Sequence, residues 1–205
     1  MRARVLASLL LLAAPTLGCA SVRVEHSWRA PDHQGTFEHV LIIAVGKQPG
    51  QRQELERAID EAFSNVGVQA TPSYQLFADD VEHDAGDIAA TFDEHAIDSV
   101  LLVHLLPGGE RQQATSGEDA ADFFGEYQAL HAASAPEAMS TAAIETNFYV
   151  ADEGAALVWS GLSATFDPAT LDESLESYSQ AVVNALLDGG LVRRTVTPGA
   201  IEARD

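Results

Sequence analysis

The side chains best suited to bind a cation lie in an acidic stretch in the first half of the chain. Asp79, Asp80, Glu82 and Asp84 are close neighbours there, with His83 among them. Carboxylate oxygens are the ligands that calcium prefers, but this stretch lacks the central glycine and closing glutamate of a calcium-binding loop. The sequence therefore favours a solvated acidic loop over a metal site.

Histidines offer a second possible set of metal ligands. His26, His33 and His39 are close in sequence, and His104 interrupts an otherwise apolar run. Three histidines can converge on zinc, but histidines in such settings are more often surface residues or hydrogen-bonded members of a core. We predict no metal site and no cofactor, and we expect His104 to be a hydrogen-bonded core residue.

Motifs of catalysis are missing from the sequence. There is no Gly-x-Ser-x-Gly, no phosphate-binding glycine loop and no His-Glu-x-x-His. The 31 Asp and Glu residues against 11 Lys and Arg give a formal net charge of −20, so neighbouring acids carry little information about acid–base chemistry. This charge disfavours binding to nucleic acid or to anionic lipid. We predict that the chain is not an enzyme.

Aromatic side chains stand out in residues 107–139, a segment rich in small and polar residues. Phe123, Phe124 and Tyr127 have helical spacing within it. They can pack a short helix on the rest of the fold, or they can bind a partner, since aromatic residues concentrate binding energy. We predict a long loop over 107–139, favour the packing of a short helix by the three aromatics, and keep them as candidate partner-binding residues.

The amino terminus has the layout of an export signal. Arg2 and Arg4 precede an apolar run over 5–14, which is shorter than the about 20 residues of a membrane-spanning helix. Gly18 and Cys19 follow, and this arrangement resembles the lipobox of bacterial lipoproteins. The resemblance implies a signal peptide over 1–18 and a diacylglycerol with acyl chains such as palmitate on the sulfur of Cys19.

An alternative for the same segment is an ordinary secretory signal cleaved after Ala20, which would discard the single cysteine of the chain. An unpaired thiol is a liability in an oxidising compartment, and this favours acylation of Cys19. In lipoproteins an Asp after the cysteine is associated with retention in the inner membrane. Ala20 at that position therefore implies that the acylated chain is located on the periplasmic face of the outer membrane.

The elements that position these residues follow from hydrophobic periodicity. Strands are predicted at 22–24, 37–45, 68–77 and 99–106, with helices over 51–66 and from Asp84 or Asp87, the latter with Ile88, Phe92 and His95 facing inward. A β-hairpin over 141–150 and 156–166 precedes a last helix that begins near Asp167 or at Thr170 with Glu173 as a capping box.

The order of these elements predicts an α/β fold, with α+β as the alternative. We expect a single mixed sheet of about five to six strands with three helices packed on it. The domain would extend over 19–192, followed by a flexible tail over 193–205. We also expect Tyr149 and Trp159 to pack against each other across the hairpin.

A second resemblance rests on three strings in the carboxyl-terminal half. They are 144–149 (Ile-Glu-Thr-Asn-Phe-Tyr), 157–161 (Leu-Val-Trp-Ser-Gly) and 165–168 (Thr-Phe-Asp-Pro), preceded far upstream by Trp28 and Pro31. Together they resemble a group of small, uncharacterised bacterial outer-membrane lipoproteins. More loosely, the layout is similar to periplasmic α/β modules such as the amino-terminal domain of TolB and lipoprotein activators of cell-wall synthases. These resemblances imply a role in protein–protein interactions at the bacterial cell envelope.

Three functions follow from these observations. The first is a non-enzymatic, lipid-anchored interaction or assembly module whose partners are the membrane, through Cys19, and another envelope protein. The second is a small-molecule or metal-binding periplasmic lipoprotein. The third is a hydrolase with a dispersed active site, for which the sequence offers the least support.

Overall fold

The described residues form one sheet covered by helices on both faces. The computed structural model describes residues 23–45, 50–77, 83–107, 122–133, 141–152, 154–165 and 167–195. In that part of the chain, a six-stranded mixed sheet has the order β1-β6-β5-β4-β2-β3. The strands are Val24–Arg29 (β1), His39–Val45 (β2), Gln69–Pro72 (β3), Ser99–Pro107 (β4), Ala142–Val150 (β5) and Leu157–Ser163 (β6). The helices are Gln51–Ser64 (α1), Ala85–His95 (α2), Phe123–Ala132 (α3) and Leu171–Asp188 (α4).

The predicted α/β class and mixed sheet are confirmed, and the number of helices is corrected. The described part of the chain has four helices, because α3 lies within the segment 107–139 that was expected to be a loop. The side chain of Asp122 caps α3 by accepting from the N–H of Gly125 at 2.8 Å. The helix is then held to the sheet by Phe123 and Tyr127, which are buried.

Two of the predicted elements are shorter or different at their ends. β3 stops at Pro72 and a 3₁₀ turn over Ser73–Gln75 follows, because proline has no N–H for the strand ladder. The helix α2 is capped by Asp84, which accepts from the N–H of Gly86, and buries Ile88 and Phe92 as predicted. His95 is exposed at its last turn, so the expectation that it faces inward is wrong.

The Thr170 half of the predicted capping box does not form, and the side chain of Glu173 lies outside the described part of the chain. Thr170 occupies the N-cap position of α4, but its hydroxyl donates to the carbonyl oxygen of Asp167 and makes no cap bond. At the other end, Gly190 has a positive φ of 68°, and Gly67 after α1 has a φ of 73°. Both glycines adopt the left-handed conformation that terminates helices.

The sheet combines a parallel and an antiparallel half. β2 pairs in parallel with β3 and with β4, whereas β4, β5, β6 and β1 are antiparallel neighbours in that order. Val40–Ile43 of β2 and Val100–Val103 of β4 are buried on both faces, which is why these strands appear as continuous apolar runs in the sequence.

Each face of the sheet has its own hydrophobic layer. The α1–α4 face contains residues of those two helices packed on β2, β4 and β5, such as Ile59, Phe63 and Val182. The α2–α3 face contains Ile88, Phe92, Phe123 and Tyr127 over the opposite sides of the same strands. The chain passes from β2 outward to β3 and then returns across β2 to β4. The connection through α1 lies on one face of the sheet and the connection through α2 on the other. The order in which strands are added therefore reverses between β2 and β4.

Several predictions of the sequence concern residues outside the described part of the chain. These are the signal segment and Cys19, the acidic residues 79–82, and all of 108–121 and 134–140. The domain limits and the tail over 193–205 also stay predictions, although the N–H of Thr195 donates to the carbonyl oxygen of Val66 at 3.1 Å. None of the described helices combines the length and apolar character needed to cross a bilayer.

Candidate functional site

A crevice lies at the carboxyl ends of β2 and β4. The helix that follows β2 (α1) and the helix that follows β4 (α3) lie on opposite faces of the sheet. This is the position at which open α/β sheets commonly bind ligands. The cavity there has a volume of about 20 Å³ and is lined by residues that include Val45, Arg52, His83, Tyr127 and His131. That volume holds about one water molecule.

The charged groups beside the crevice bind each other. Arg52 on α1 places its Nε 3.3 Å from a carboxylate oxygen of Glu56, and one of its terminal nitrogens donates to the carbonyl oxygen of Phe77 at 3.1 Å. The Glu56 carboxylate, fully buried, also accepts from the N–H groups of Ala44 and Tyr74 and from the hydroxyl of Ser73, at 2.9, 3.1 and 2.6 Å. Glu56 thus ties α1 to the end of β2 and to the turn after β3.

Burial raises the pKa of Glu56 above its usual value, and its hydrogen bonds and Arg52 offset only part of that effect. Oε1 is contacted by Ala44, Ser73 and Arg52, and Oε2 accepts from Tyr74, so this buried carboxyl is engaged by groups of the fold itself. We therefore assign Glu56 a structural role.

Tyr127 and His131 of the helix α3 line one side of the crevice. The hydroxyl of Tyr127 accepts a hydrogen bond from the N–H of His83 at 3.0 Å, and the Tyr127 ring lies 4.5 Å from the ring of His131. His83 also stacks on Phe77 at 4.5 Å. The Nε2 atom of His83 is buried and has no hydrogen-bond partner among the described residues. A water molecule in the crevice would satisfy it.

A group of polar side chains, here called the sheet polar cluster, lies on the α2–α3 face beside the crevice. Its members are His104 of β4, Glu145 and Asn147 of β5, and Ser160 of β6. All four are buried. His104 lies opposite Glu145 in the strand register, with its Nε2 3.2 Å from a carboxylate oxygen, and Asn147 lies opposite Ser160. The prediction that His104 is a paired core residue is confirmed.

Several atoms of the sheet polar cluster are buried without a partner in the described part of the chain. They are Nδ1 of His104, Oε1 of Glu145 and Oγ of Ser160, whereas the side chain of Asn147 has the hydroxyl of Tyr149 as a hydrogen-bonding neighbour. Leaving such atoms unsatisfied is costly, so ordered water or a small polar ligand is the expected complement. On the opposite face, the hydroxyls of Thr146 and Tyr178 are hydrogen-bonded to each other.

Glu126 adds a third ionisable group near His104 and Glu145. Burial is the largest cause that raises the pKa of Glu126. The positive form of His104 opposes that shift, and the negative charge of Glu145 adds to it. The three groups therefore influence one another across the interface between α3 and the sheet.

The aromatic candidates for partner binding occupy different environments. Phe123 and Tyr127 are buried, and the Phe123 ring lies 5.7 Å from that of Tyr149 on β5. Phe124 is half-buried and stacks at 6.4 Å on Phe92 of α2. In this conformation Phe123 and Tyr127 anchor α3, and Phe124 is the one of the three with side-chain surface to offer. Their partner-binding role stays a prediction.

The histidines near the amino terminus do not converge. His26 is exposed on β1, His33 stacks on Phe37 at 5.1 Å, and His39 is hydrogen-bonded to the Thr71 hydroxyl at 2.8 Å. The described residues contain no group of three or more His, Cys, Asp or Glu side chains placed to hold a metal ion.

The expected contact between Tyr149 and Trp159 is wrong. A bulge in the hairpin places Tyr149 opposite Leu157 and Phe148 opposite Trp159. Tyr149 therefore belongs to the α2–α3 face and Trp159 to the α1–α4 face. The Trp159 ring instead covers Gly161, where a Cβ atom would come within 2.2 Å of it.

An open groove of about 410 Å³ runs between α1 and α4. Its lining is mostly polar and includes Glu54, Glu61, Glu176 and Gln180. Ligand pockets are typically apolar with a few converging polar groups, so this groove has the character of ordinary surface.

Comparisons with known proteins give weak likenesses of fold. No family model matches the chain, and no curated protein matches it. Among solved structures, a PelC dodecamer from Paraburkholderia phytofirmans is similar at 13% identity over 84% of this chain and 98% of that one, with a TM-score of 0.42. Lipoprotein GNA1162 from Neisseria meningitidis is similar at 13% identity over 75% and 93%, with a TM-score of 0.36. At these values neither carries an argument about function, and the resemblance to a lipoprotein group and to TolB-like modules stays a prediction.

Proposed function

We propose that the chain is a lipid-anchored lipoprotein of the bacterial envelope that works by contacting another envelope protein and not by catalysis. The observation that carries the proposal is Cys19, which follows Gly18 directly after the apolar run 5–14. Ala20 supports placement on the periplasmic face of the outer membrane. Two or three acyl chains on this residue would anchor the chain stably, since each buried methylene contributes about 0.8 kcal/mol.

The start of β1 limits how far the fold can stand from the membrane. Val24 is the first residue of β1 and lies 24 − 19 = 5 residues after Cys19. A fully extended chain spans at most about 3.3–3.6 Å per residue, so this tether reaches about 18 Å. β1 is at the end of the sheet. The acylated chain would therefore hold this edge of the sheet close to the lipid surface.

The geometry at the carboxyl ends of the parallel strands supports a role without catalysis. Among the described residues, the crevice there has a volume of about 20 Å³, and its lining shows no nucleophile paired with a base. Arg52 and Glu56, the charged residues beside it, are engaged with each other and with the backbone. These groups stabilise the fold, which leaves the surface to recognise a partner.

Fractionation of cells that produce the full chain tests the anchor. We expect the parent chain in the membrane fraction and the Cys19→Ala variant in the soluble periplasm. Ser21→Ala is a matched control, because it changes a residue two positions away and keeps the cysteine. Recovery of Cys19→Ala from membranes in the same proportion as the parent would contradict the proposal.

Crosslinking in native membranes tests the partner. Phe124→Ala should reduce the amount of crosslinked partner protein, because Phe124 is half-buried on α3 and can be truncated at a moderate cost to the fold. Gln128→Ala, an exposed position on the same helix, should leave the yield unchanged. Equal crosslinking yields for both variants would show that Phe124 is not part of the contact with the partner.

The unpartnered atoms of the sheet polar cluster favour a second candidate function, a periplasmic binder of small polar molecules or metal ions. Nδ1 of His104 and Oε1 of Glu145 are the ligating atoms that have no described partner. A ligand that binds only the folded state must raise the melting temperature. We expect a rise with saturating zinc or calcium if this candidate is correct, and an unchanged melting temperature would contradict metal binding.

A further inference from the structure

We infer that residues 191–195, here called the carboxyl-terminal strap, are a latch that opens and closes as a unit while the rest of the fold stays intact. The strap follows α4 and contacts the segments that lead into β2 and β3. Two of its side chains, Leu191 and Val192, are buried, and the other three, Arg193, Arg194 and Thr195, are exposed. The structure shows the strap in its closed form.

Backbone hydrogen bonds near both ends of the strap hold it closed. The N–H of Phe37, two residues before β2, donates to the carbonyl oxygen of Leu191 at 2.8 Å, and Val192 forms a parallel bridge with Phe37. The N–H of Thr195 donates to the carbonyl oxygen of Val66 at 3.1 Å. The strap therefore joins the segment before β2 to the turn between α1 and β3.

The closed strap covers one end of the α1–α4 face. Leu191 and Val192 pack there with Phe37, Val66 and Val68, and all five side chains are buried. Opening of the strap would expose this apolar group and would remove the acceptor of the Phe37 N–H. The strap thus shields an apolar end of the fold from water and from other chains.

A glycine connects the strap to α4. Gly190 has a φ of 68°, a conformation that glycine adopts freely and that costs other residues energy. A Cβ atom added at Gly190 would have no atom within 4 Å. The closed strap therefore depends on the backbone conformation of Gly190 and not on the space around it.

The contacts of the strap favour opening ahead of global unfolding. A segment with few buried side chains and exposed backbone hydrogen bonds opens at a lower free energy than the core. The strap buries two side chains, and the Thr195 hydroxyl donates to the carbonyl oxygen of Gly67 at an exposed position. By contrast, Val40–Ile43 of β2 are buried on both faces of the sheet. Because Phe37 and Thr195 both depend on the strap for their amide hydrogen bonds, both amides should become exposed in the same event.

Hydrogen exchange of single amides, followed by NMR on the full chain in detergent, tests the inference. We expect the amides of Phe37 and Thr195 to have equal protection factors, well below those of Val40–Ile43 in β2. The inference is overturned if the two amides are protected to different extents, or if both are protected as strongly as the amides of β2.

Two glycine variants separate opening of the strap from a general loss of stability. Gly190→Ala should lower the protection factors of Phe37 and Thr195 by about 5- to 30-fold, because alanine at this φ is strained in the closed strap and relaxes in the open one. Gly50→Ala is the matched control, since Gly50 at the start of α1 has a φ of 83° and also has open space at its Cβ position. It should leave both protection factors at the parent values. Equal effects of the two variants, or no effect of Gly190→Ala, would contradict the latch.

Discussion

The pair formed by His104 and Glu145 offers the sharpest test of how the interior of this fold is held together. Both side chains are nearly inaccessible, with 5% and 4% of their surface exposed, and Nε2 lies 3.2 Å from the carboxylate. Removing one member of a buried pair leaves the other without compensation and typically costs about 3–5 kcal/mol. We therefore expect His104→Ala and Glu145→Ala each to lower the free energy of unfolding by that amount.

Replacing both residues should behave differently. A buried pair exchanged for apolar side chains of similar volume is typically neutral or stabilising by about 1–4 kcal/mol. The double variant His104→Leu/Glu145→Leu should thus recover most of the loss seen in the single variants. Arg57 and Glu61 on α1 are a control, since 55% and 63% of their side-chain surface is exposed, and removal of that pair should cost at most about 0.5 kcal/mol.

Urea and thermal unfolding of the chain without its signal segment, followed by circular dichroism, measures these differences. At about 2–4 °C for each kcal/mol, the single variants should melt about 6–20 °C below the parent. The reasoning is refuted if either single variant unfolds within about 1 kcal/mol of the parent. It is also refuted if the leucine double variant is as unstable as the single variants, because packing alone would then explain the loss.

Three further predictions concern acidity and packing. Burial raises the pKa of the Glu56, Asp60 and Glu126 carboxyls, so the unfolded chain loses these protons at lower pH than the folded chain. Their stabilising contribution is complete below the unfolded-state pKa, about 3.9 for Asp60 and about 4.3 for Glu56 and Glu126, and is lost as the pH rises through the folded-state pKa values. The melting temperature should be higher at pH 5 than at pH 8, and the reverse order would contradict this. Gly161→Ala should cost about 1–3 kcal/mol in urea unfolding, because its Cβ would overlap the Trp159 ring; an unchanged midpoint would show that the ring moves freely. Phe123→Ala should lower the free energy of unfolding by about 3–5 kcal/mol, because Phe123 is fully buried. Phe124→Ala should lower it clearly less in the same assay, and equal losses would contradict the packing of α3.

The elements with strong periodicity could be predicted from the sequence. The stripe of Leu55, Ile59 and Phe63 predicts α1, and all three side chains are buried. The apolar runs of β2 and β4 predict strands buried on both faces, which is their position in the parallel half of the sheet. In these segments the tertiary contacts only reinforce what local hydrophobicity already specifies.

The sheet polar cluster could not be predicted, because its burial depends on a helix that the sequence signals weakly. In β5 the alternation of Ile144, Thr146 and Phe148 predicts an inward face, which leaves Glu145 and Asn147 on the side expected to be solvated. The structure covers that side with α3. Gly125 and the polar residues of α3 obscure its helical pattern, so the segment resembles a loop until its packing on the sheet is known.

The bulge between β5 and β6 is a second feature that escaped prediction. Strict alternation along both strands would place Tyr149 and Trp159 on one face, and the register shift after Phe148 separates them. A bulge adds one residue to a strand without changing its composition. The partial signal was Gly161, which has no side chain at the position that the Trp159 ring occupies.

Mass spectrometry of the mature amino terminus, on protein purified from its own membranes, tests the central proposal most directly. The account predicts a mature chain whose first residue is Cys19, with a diacylglycerol joined to its sulfur and a mass that shifts with the length of the acyl chains. A mature chain that starts at Ser21 and carries no fatty acid would contradict it. That result would also remove the short tether that holds β1 near the lipid surface.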